Sequence, residues 1–597
     1  MADVTFNGTT FTGSGTYDQP VNETVNLTVT PTDGATITFT GNLTTTGTFI
    51  QNGAHVIFDT GTRNSLGTFR IYNRNTSSTQ YVNGSSMTLN GELTVTNFYA
   101  AGNIKYYSGT SYVYINDGAS LTVTGEFMLV QADKAQAVIN QNGGTVSINT
   151  SGETAVRIGH YFNYGYPTEY NLKGGVLNIP NAVAHVGWDA YAKLNISGGE
   201  ANLKGINLSA GGKTIPEKYG GGDDKKGGKG FLNLTGGTLN LGSEGVTYIK
   251  KKDGSSYDSS IAPEINLGNG TVKASASHTW ASNLTVTLTA DKVPTFDIDA
   301  NKTITIASVV KGSGGLKKIG AGALTLSGAN SYSGGTTVSA GKLILTDDAL
   351  ENAQGNFTVD ENGTLEFYVA EGTKELSLSA QKELFITGKV IKTGAGELKI
   401  DSADPGSIDA HSFVVSSGRL DMKEYFKGSL AVGEQLAPEN YLTAIFSPGN
   451  SVGALTIDGS GLQDGEYAFT LNPESTLLME IGGQNTGAND ILIVDGDILL
   501  GNDSIIRLAM TGDCPLELGE SFTAILSAEN SEGLDVLGHI QTSDFTELKY
   551  ETVDYGGNTV YAITGRRFNA NEIPEPSTWA LLLLGAAGLL YVRKRKN

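Results

Sequence analysis

Short runs of alternating apolar and polar residues recur along the chain, separated by glycines. "AVINQNGGTVSIN", "EYNLKGGVLNIP", "AKLNISGGEANLK" and "GFLNLTGGTLNLG" each read as a strand, a Gly-Gly turn and a second strand. A period of two sends Leu194 and Ile196 to one face and Asn195 and Ser197 to the other. The pairs Gly143-Gly144, Gly174-Gly175, Gly198-Gly199 and Gly236-Gly237 follow one another at 31, 24 and 38 residues, a solenoid-like period with loops of variable length. One such unit has no means of burying its apolar face alone. Stacked coils do, because each strand bonds its counterpart about 4.8 Å away and the apolar faces merge. The pattern therefore predicts an all-β protein, a right-handed parallel β-helix (β-solenoid) with coils of roughly 20 to 30 residues, closed by a short C-terminal hydrophobic helix. The rival architecture, a string of β-sandwiches, requires antiparallel pairing.

Composition supports turn-rich β-structure: 597 residues contain 79 glycines and 14 prolines. The formal net charge of −21 excludes nucleic acid binding through the overall field. A single cysteine, Cys514, excludes an intrachain disulfide and offers only one thiolate to a metal, and no cofactor is expected. The start "MADVTFNGTTFTG" has no basic region, apolar core or cleavage site. Because "ADVTFNG" already reads as a strand, the expectation is that a signal peptide has been removed and Met1 is an added start. The expected organisation is an N-terminal solenoid (1–210), a flexible Gly/Lys-rich insertion (211–230), a second solenoid stretch (231–430), a further β region (431–566), a linker (567–578) and a terminal apolar segment (579–597).

Residues 312–345, "GSGGLKKIGAGALTLSGANSYSGGTTVSAGKLIL", resemble the autotransporter-associated β-strand repeat of exported bacterial passenger domains, with an echo, "VIKTGAGELKI", at 390–400. Leu316, Ile319, Leu324, Leu326, Val338, Leu343 and Leu345 are its inward candidates. The resemblance implies right-handed β-helices on cell surfaces. "FSPGNSVGALTIDG" (446–459) and "STLLMEIGGQNTGANDILIVDGDILLG" (475–501) look like the C-terminal passenger region of the same class. Too little chain follows for the outer-membrane barrel of an autotransporter, so self-translocation is not expected.

The tail "IPEPSTWALLLLGAAGLLYVRKRK" resembles the PEP-CTERM sorting signal: a motif of Pro574, Glu575 and Pro576, an apolar segment and a basic end. That resemblance implies export, an exosortase-type processing enzyme as partner, and a setting of exopolysaccharide or biofilm. Trp579 to Val592 is 14 residues, about 21 Å as a helix against a bilayer core of about 30 Å. Trp579, Leu581, Leu582, Leu583, Leu584, Leu589, Leu590, Tyr591 and Val592 form the expected membrane anchor, with Arg593, Lys594, Arg595 and Lys596 on the cytoplasmic side. The expected location is the cell surface or extracellular space, with an inner-membrane anchor before processing.

Candidate chemistry is sparse. Asp401, Asp404, Asp409 and His411 in "DSADPGSIDAH", and Asp490, Asp495 and Asp497 in "NDILIVDGD", read as turn chemistry rather than acid–base pairs or calcium loops. "GNSVG" fits the Ser-hydrolase elbow formally at Ser451, but "ALTIDG" after it alternates as a strand where a helix is needed. "GGKT" at 211–214 lacks the first glycine of a phosphate loop. The six histidines, His55, His160, His185, His278, His411 and His539, show no metal-ligand spacing. In "YFNYGYPTEY", Tyr161, Tyr164 and Tyr166 are the candidate glycan contacts, since aromatic faces pair with sugar rings. The expected function is that of a noncatalytic exported cell-surface or extracellular-matrix protein, with adhesion to exopolysaccharide or host glycans; the alternative is a polysaccharide lyase or glycoside hydrolase on the same scaffold.

Overall fold

The computed structural model describes residues 4–29, 35–72, 85–100, 109–129, 135–159, 167–188, 190–208, 229–248, 263–351, 354–378, 384–402, 408–437, 440–449, 452–511 and 514–568. The sorting tail and the aromatic segment holding Tyr161, Tyr164 and Tyr166 lie outside these residues, as does the stretch 209–228.

Alternation resolves into parallel strands. Ala192–Ile196 lies between Thr168–Leu172 and Gly230–Leu234, so that Leu194 sits beside Tyr170 on one side and Leu232 on the other. Thr36 pairs with His55, 19 residues on, and Lys193 with Phe231, 38 residues on, so the coil length varies twofold while the strands stay in register. The two strands around each Gly-Gly turn do not pair with each other, as a hairpin would. They belong to different columns, which excludes the sandwich alternative for these segments.

The chain divides into two units, residues 1–368 with 381–390, and residues 369–380 with 391–597. In the first, three strands per coil build three columns. Gly109–Ile115, Ser120–Val123 and Phe127–Leu129 make one coil, and Ala135–Gln141, Thr145–Ile148 and Val156–Ile158 the next, strand upon strand. In the second unit, Glu397–Ser402, Gly418–Val432, Ala444–Pro448, Thr476–Ile481 and Ile505–Met510 form one such column.

Glycine is required at the corner between the first two columns. Gly175 has φ +73°, and a Cβ there would lie 2.1 Å from the Gly144 carbonyl oxygen of the preceding coil. Register also stacks like residues inside. Phe49, Phe69, Phe98 and Phe127 face one another at centroid distances of 5.6, 5.4 and 5.4 Å, all fully or almost fully buried. Outside, asparagines form ladders: Asn178, Asn202 and Asn240 are linked amide to amide at 3.1 and 3.0 Å. Open strand edges are closed by antiparallel hairpins. Thr5–Phe6 pairs with Thr10–Thr12 at the start, and Phe545–Tyr555 with Asn558–Arg567 covers Ser521–Ser527 at the end.

The repeat at 312–345 corrects one sequence expectation. Leu316, Leu324, Leu326, Val338, Leu343 and Leu345 are buried as expected, but Ile319 is only half-buried and Lys318 points inward with no exposed surface. Leu316 fixes the phase of its strand, so a period of two puts Lys318 inside. Its ammonium is satisfied by donating to the carbonyls of Ile319, Gly320 and Ala340 at 2.6, 2.8 and 3.2 Å. Lys392 in the echo "VIKTGAGELKI" repeats the device, donating to the carbonyls of Thr393, Gly394, Gly396 and Ser417 at 2.6–3.1 Å. Burial pulls both ammonium groups down to about 8. Lys318→Met, which keeps the length and removes the donors, is expected to cost about 1–3 kcal/mol in equilibrium denaturation. Ile319→Met should stay within about 0.5 kcal/mol, and equal costs would mean that the lysine does not clamp the turn.

Candidate functional site

Of the residues singled out in the sequence, several of those described find structural partners. Asp401 pairs with Lys423 at 3.0 Å and Asp409 with Lys427 at 3.6 Å, while His411 is exposed. Asp404 and Ser451 lie outside the described residues. The strand Ala454–Asp458 follows Ser451, so the helix that a nucleophile elbow needs is not there. Asp495 and Asp497 are exposed. His55 bonds Ser86 through Nδ1 at 2.6 Å, His185 bonds the Glu153 carbonyl through Nε2 at 2.9 Å, and His539 lies 3.0 Å from the Ser504 hydroxyl. Among the described residues no group of three or more His, Cys, Asp and Glu is placed to hold a metal ion.

Among the described residues, one convergence of charge was not foreseen. In the second unit the register places Glu397 beside Arg419, and Lys399 beside Asp421, on the outer side of one column. Arg419 grips Asp421 with two bonds, Nε to Oδ1 at 2.5 Å and Nη2 to Oδ2 at 2.7 Å. It also reaches Glu397 at 3.1 Å and Glu480 at 3.7 Å. Asp490, fully buried, accepts the backbone N–H of Gly453 at 3.0 Å and of Glu480 at 2.7 Å. It thereby ties the turn after Pro448 to the strand Thr476–Ile481.

Acid outnumbers base in this cluster, and burial decides the protonation. Burial pushes Asp421 up to about 7 against the opposing pull of Arg419, and pushes Asp490 up to about 8 against its two backbone donors. Glu480 is raised too, by burial. At Glu397 burial acts upward, but the Thr373 hydroxyl at 2.6 Å, Asp421 and Arg419 outweigh it and the net direction is down. Both oxygens of Asp421 are committed to Arg419 and its side chain is 1% exposed, so neither is free to protonate a glycosidic oxygen. The arrangement is a closed ion cluster holding coils together. Sequence reading missed it because its members are scattered from 397 to 490 and meet only through register; the alternation Arg-Leu-Asp-Met at 419–422, with two charges on one side, was the available signal.

Outside the cluster, the glycan candidates Tyr161, Tyr164 and Tyr166 fall between the strands Val156–Ile158 and Thr168–Leu172. Just before them, Arg157 stacks over the Trp188 ring at 4.9 Å and His185 meets that ring edge-on at 4.7 Å. Burial lowers the His185 pKa, against the bond to the Glu153 carbonyl. The described residues also contain no helix long and apolar enough to cross a membrane. The anchor residues Trp579 to Val592, the cations Arg593 to Lys596 and the motif Pro574-Glu575-Pro576 lie beyond them.

The raised carboxylates have a signed consequence. Their folded pKa values exceed the unfolded value, so the stability they contribute is full below about pH 4 and is lost as pH rises through about 7 to 8. Asp490→Asn has no ionisable group and escapes this loss, at a pH-independent cost from giving up one of the two N–H acceptors. Relative to the unaltered chain its stability is expected to improve between pH 5 and pH 8 by up to about 1.4 kcal/mol per pH unit. A constant difference across that range in thermal or urea unfolding would show that Asp490 does not titrate there.

Comparison with known proteins agrees with two features already described. Residues 316–345, the segment with the buried Lys318, match the passenger-associated-transport-repeat family. Residues 572–596 match the PEP-CTERM protein-sorting motif. Over 398 residues, 60% of the chain, the sequence is 24% identical to the adhesin BmaC autotransporter of Brucella suis biovar 1 (strain 1330), and spans 11% of that protein. The chain thus joins a parallel β-solenoid bearing a passenger-type repeat to a PEP-CTERM sorting motif.

Proposed function

We propose that this is a noncatalytic exported protein of the cell surface or extracellular matrix, sorted through its C-terminal motif and adhesive through its solenoid. The observation that carries this reading is the pairing, in one chain, of a passenger-associated-transport-repeat at 316–345 with a PEP-CTERM motif at 572–596. The first belongs to solenoid coils of the kind described above, and the second implies an exosortase-type partner. Adhesion is supported by the similarity to a protein named as an adhesin, of which this chain spans a small part. In this reading Trp579 to Val592 holds the chain in the inner membrane before processing, the cations Arg593 to Lys596 stay on the cytoplasmic side, and Pro574-Glu575-Pro576 is the recognition motif.

The second reading, a polysaccharide lyase or glycoside hydrolase, would have to draw on the carboxylates around Arg419, whose bonding as described above speaks against it. It requires reducing ends or unsaturated products to be released from a polysaccharide, and Arg419→Ala to abolish that release. The first reading predicts that deletion of residues 574–597 moves the protein from the membrane fraction to the soluble fraction, measured by fractionation of the native host. Retention of the truncated chain in membranes would contradict the anchor.

A further inference from the structure

The outer side of the first column in the first unit carries two aligned rows of side chains. In one, Tyr114 is followed on successive coils by Asn140, Asn171, Asn195, Asn233 and Asn266. From Asn171 onward each asparagine amide donates to the carboxamide oxygen of the one before it, at 3.3, 2.7, 2.7 and 2.8 Å. A carboxamide has two N–H donors and two lone pairs. The ladder uses one of each along the row, so every interior member keeps one donor and one acceptor, repeated about every 4.8 Å. Because the ladder orders its own side chains, a ligand meeting it has little rotamer entropy left to remove.

The parallel row begins with Tyr112, which is 37% exposed and lies beside Tyr114 with ring centroids 6.2 Å apart and planes 12° from parallel. Neither ring contributes to the interior, which Val113 and Ile115 fill from the same strand. After Val138 the row runs Glu169, Lys193, Phe231 and Glu264, and its charges cancel locally with the help of Lys229, which precedes the strand Gly230–Leu234. Lys193 pairs with Glu169 at 3.4 Å, and Lys229 pairs with Glu264 at 2.5 Å while covering Phe231 at 4.9 Å. The strip is therefore close to neutral on a chain of net charge −21.

We propose that this strip is a binding surface for a neutral, extended polysaccharide lying along the column, with the Tyr112 and Tyr114 rings stacking on sugar faces and the asparagine ladder meeting ring hydroxyls. A hydroxyl is both donor and acceptor, which matches what each asparagine leaves open. Aromatic faces bury the C–H surface of a pyranose. Locally paired charge on an acidic body disfavours a uronate polymer or nucleic acid. The proposal rests on the adhesive part of the function above and supplies its ligand class and contact residues, which do not include Tyr161, Tyr164 or Tyr166.

Affinity electrophoresis of the full chain in gels containing hydroxyethylcellulose or alginate tests it. Retardation is expected in the neutral gel and not in alginate. Tyr112→Ala with Tyr114→Ala should weaken the neutral interaction at least about tenfold with an unchanged melting temperature, and Tyr112→Phe with Tyr114→Phe should retain it. Asn195→Leu, which interrupts the ladder, should weaken it as well. The proposal is overturned by no retardation in the neutral gel, by retardation in alginate alone, or by unaltered retardation of the double alanine variant. Surface labelling of intact cells separates the two ideas: retardation without surface exposure sinks the surface reading alone, and surface exposure without retardation sinks this site alone.

Discussion

Parallel, in-register pairing between successive coils is the constraint from which the other features follow. A strand that bonds its counterpart one coil away puts each residue beside the residue at the same phase, so chemistry repeats along a column. Inside, this stacks Phe49, Phe69, Phe98 and Phe127. At the corners it brings Gly175 against the Gly144 carbonyl, too close for any side chain. Outside, it links asparagine to asparagine, and in the second unit it sets Glu397 beside Arg419.

The same constraint explains what was legible in the sequence. Alternation and the Gly-Gly pairs revealed strands and corners, because both depend on a few consecutive residues: Leu194 and Ile196 are buried and Asn195 faces outward as their spacing required. Partnerships between coils were not legible, because the spacing between paired residues runs from 17 (Ser412 and Ser429) to 40 (Gly205 and Gly245) and conceals which residues share a row. The phenylalanine stack, the asparagine ladders and the Arg419 cluster all depend on such partnerships. Lys318 fails for a different reason. Hydrophobicity favoured Ile319 as the inward residue, whereas strand phase and the carbonyls of Ile319, Gly320 and Ala340 favour the lysine, and the geometric term wins.

For function, the division of labour is plain. Within each unit a buried lysine, and in the second unit also the closed ion cluster, serves cohesion between coils, while the outer rows of the first unit carry repeated polar and aromatic side chains. The sorting motif at 572–596 gives the chain a destination. A repeating surface suits a repeating ligand, since each coil adds a similar small contact and the contacts act together along one chain.

The most direct test of the account is a pair of cysteines placed across neighbouring coils. With Cys514→Ser as background, N195C together with N233C puts thiols on adjacent strands at matched positions, within the Cα separation a disulfide needs. Mild oxidation is expected to close this bond rapidly and quantitatively, while the offset pair K193C with N233C stays reduced. A matched pair that remains reduced, or an offset pair that closes as readily, would contradict in-register parallel stacking and the surface built upon it.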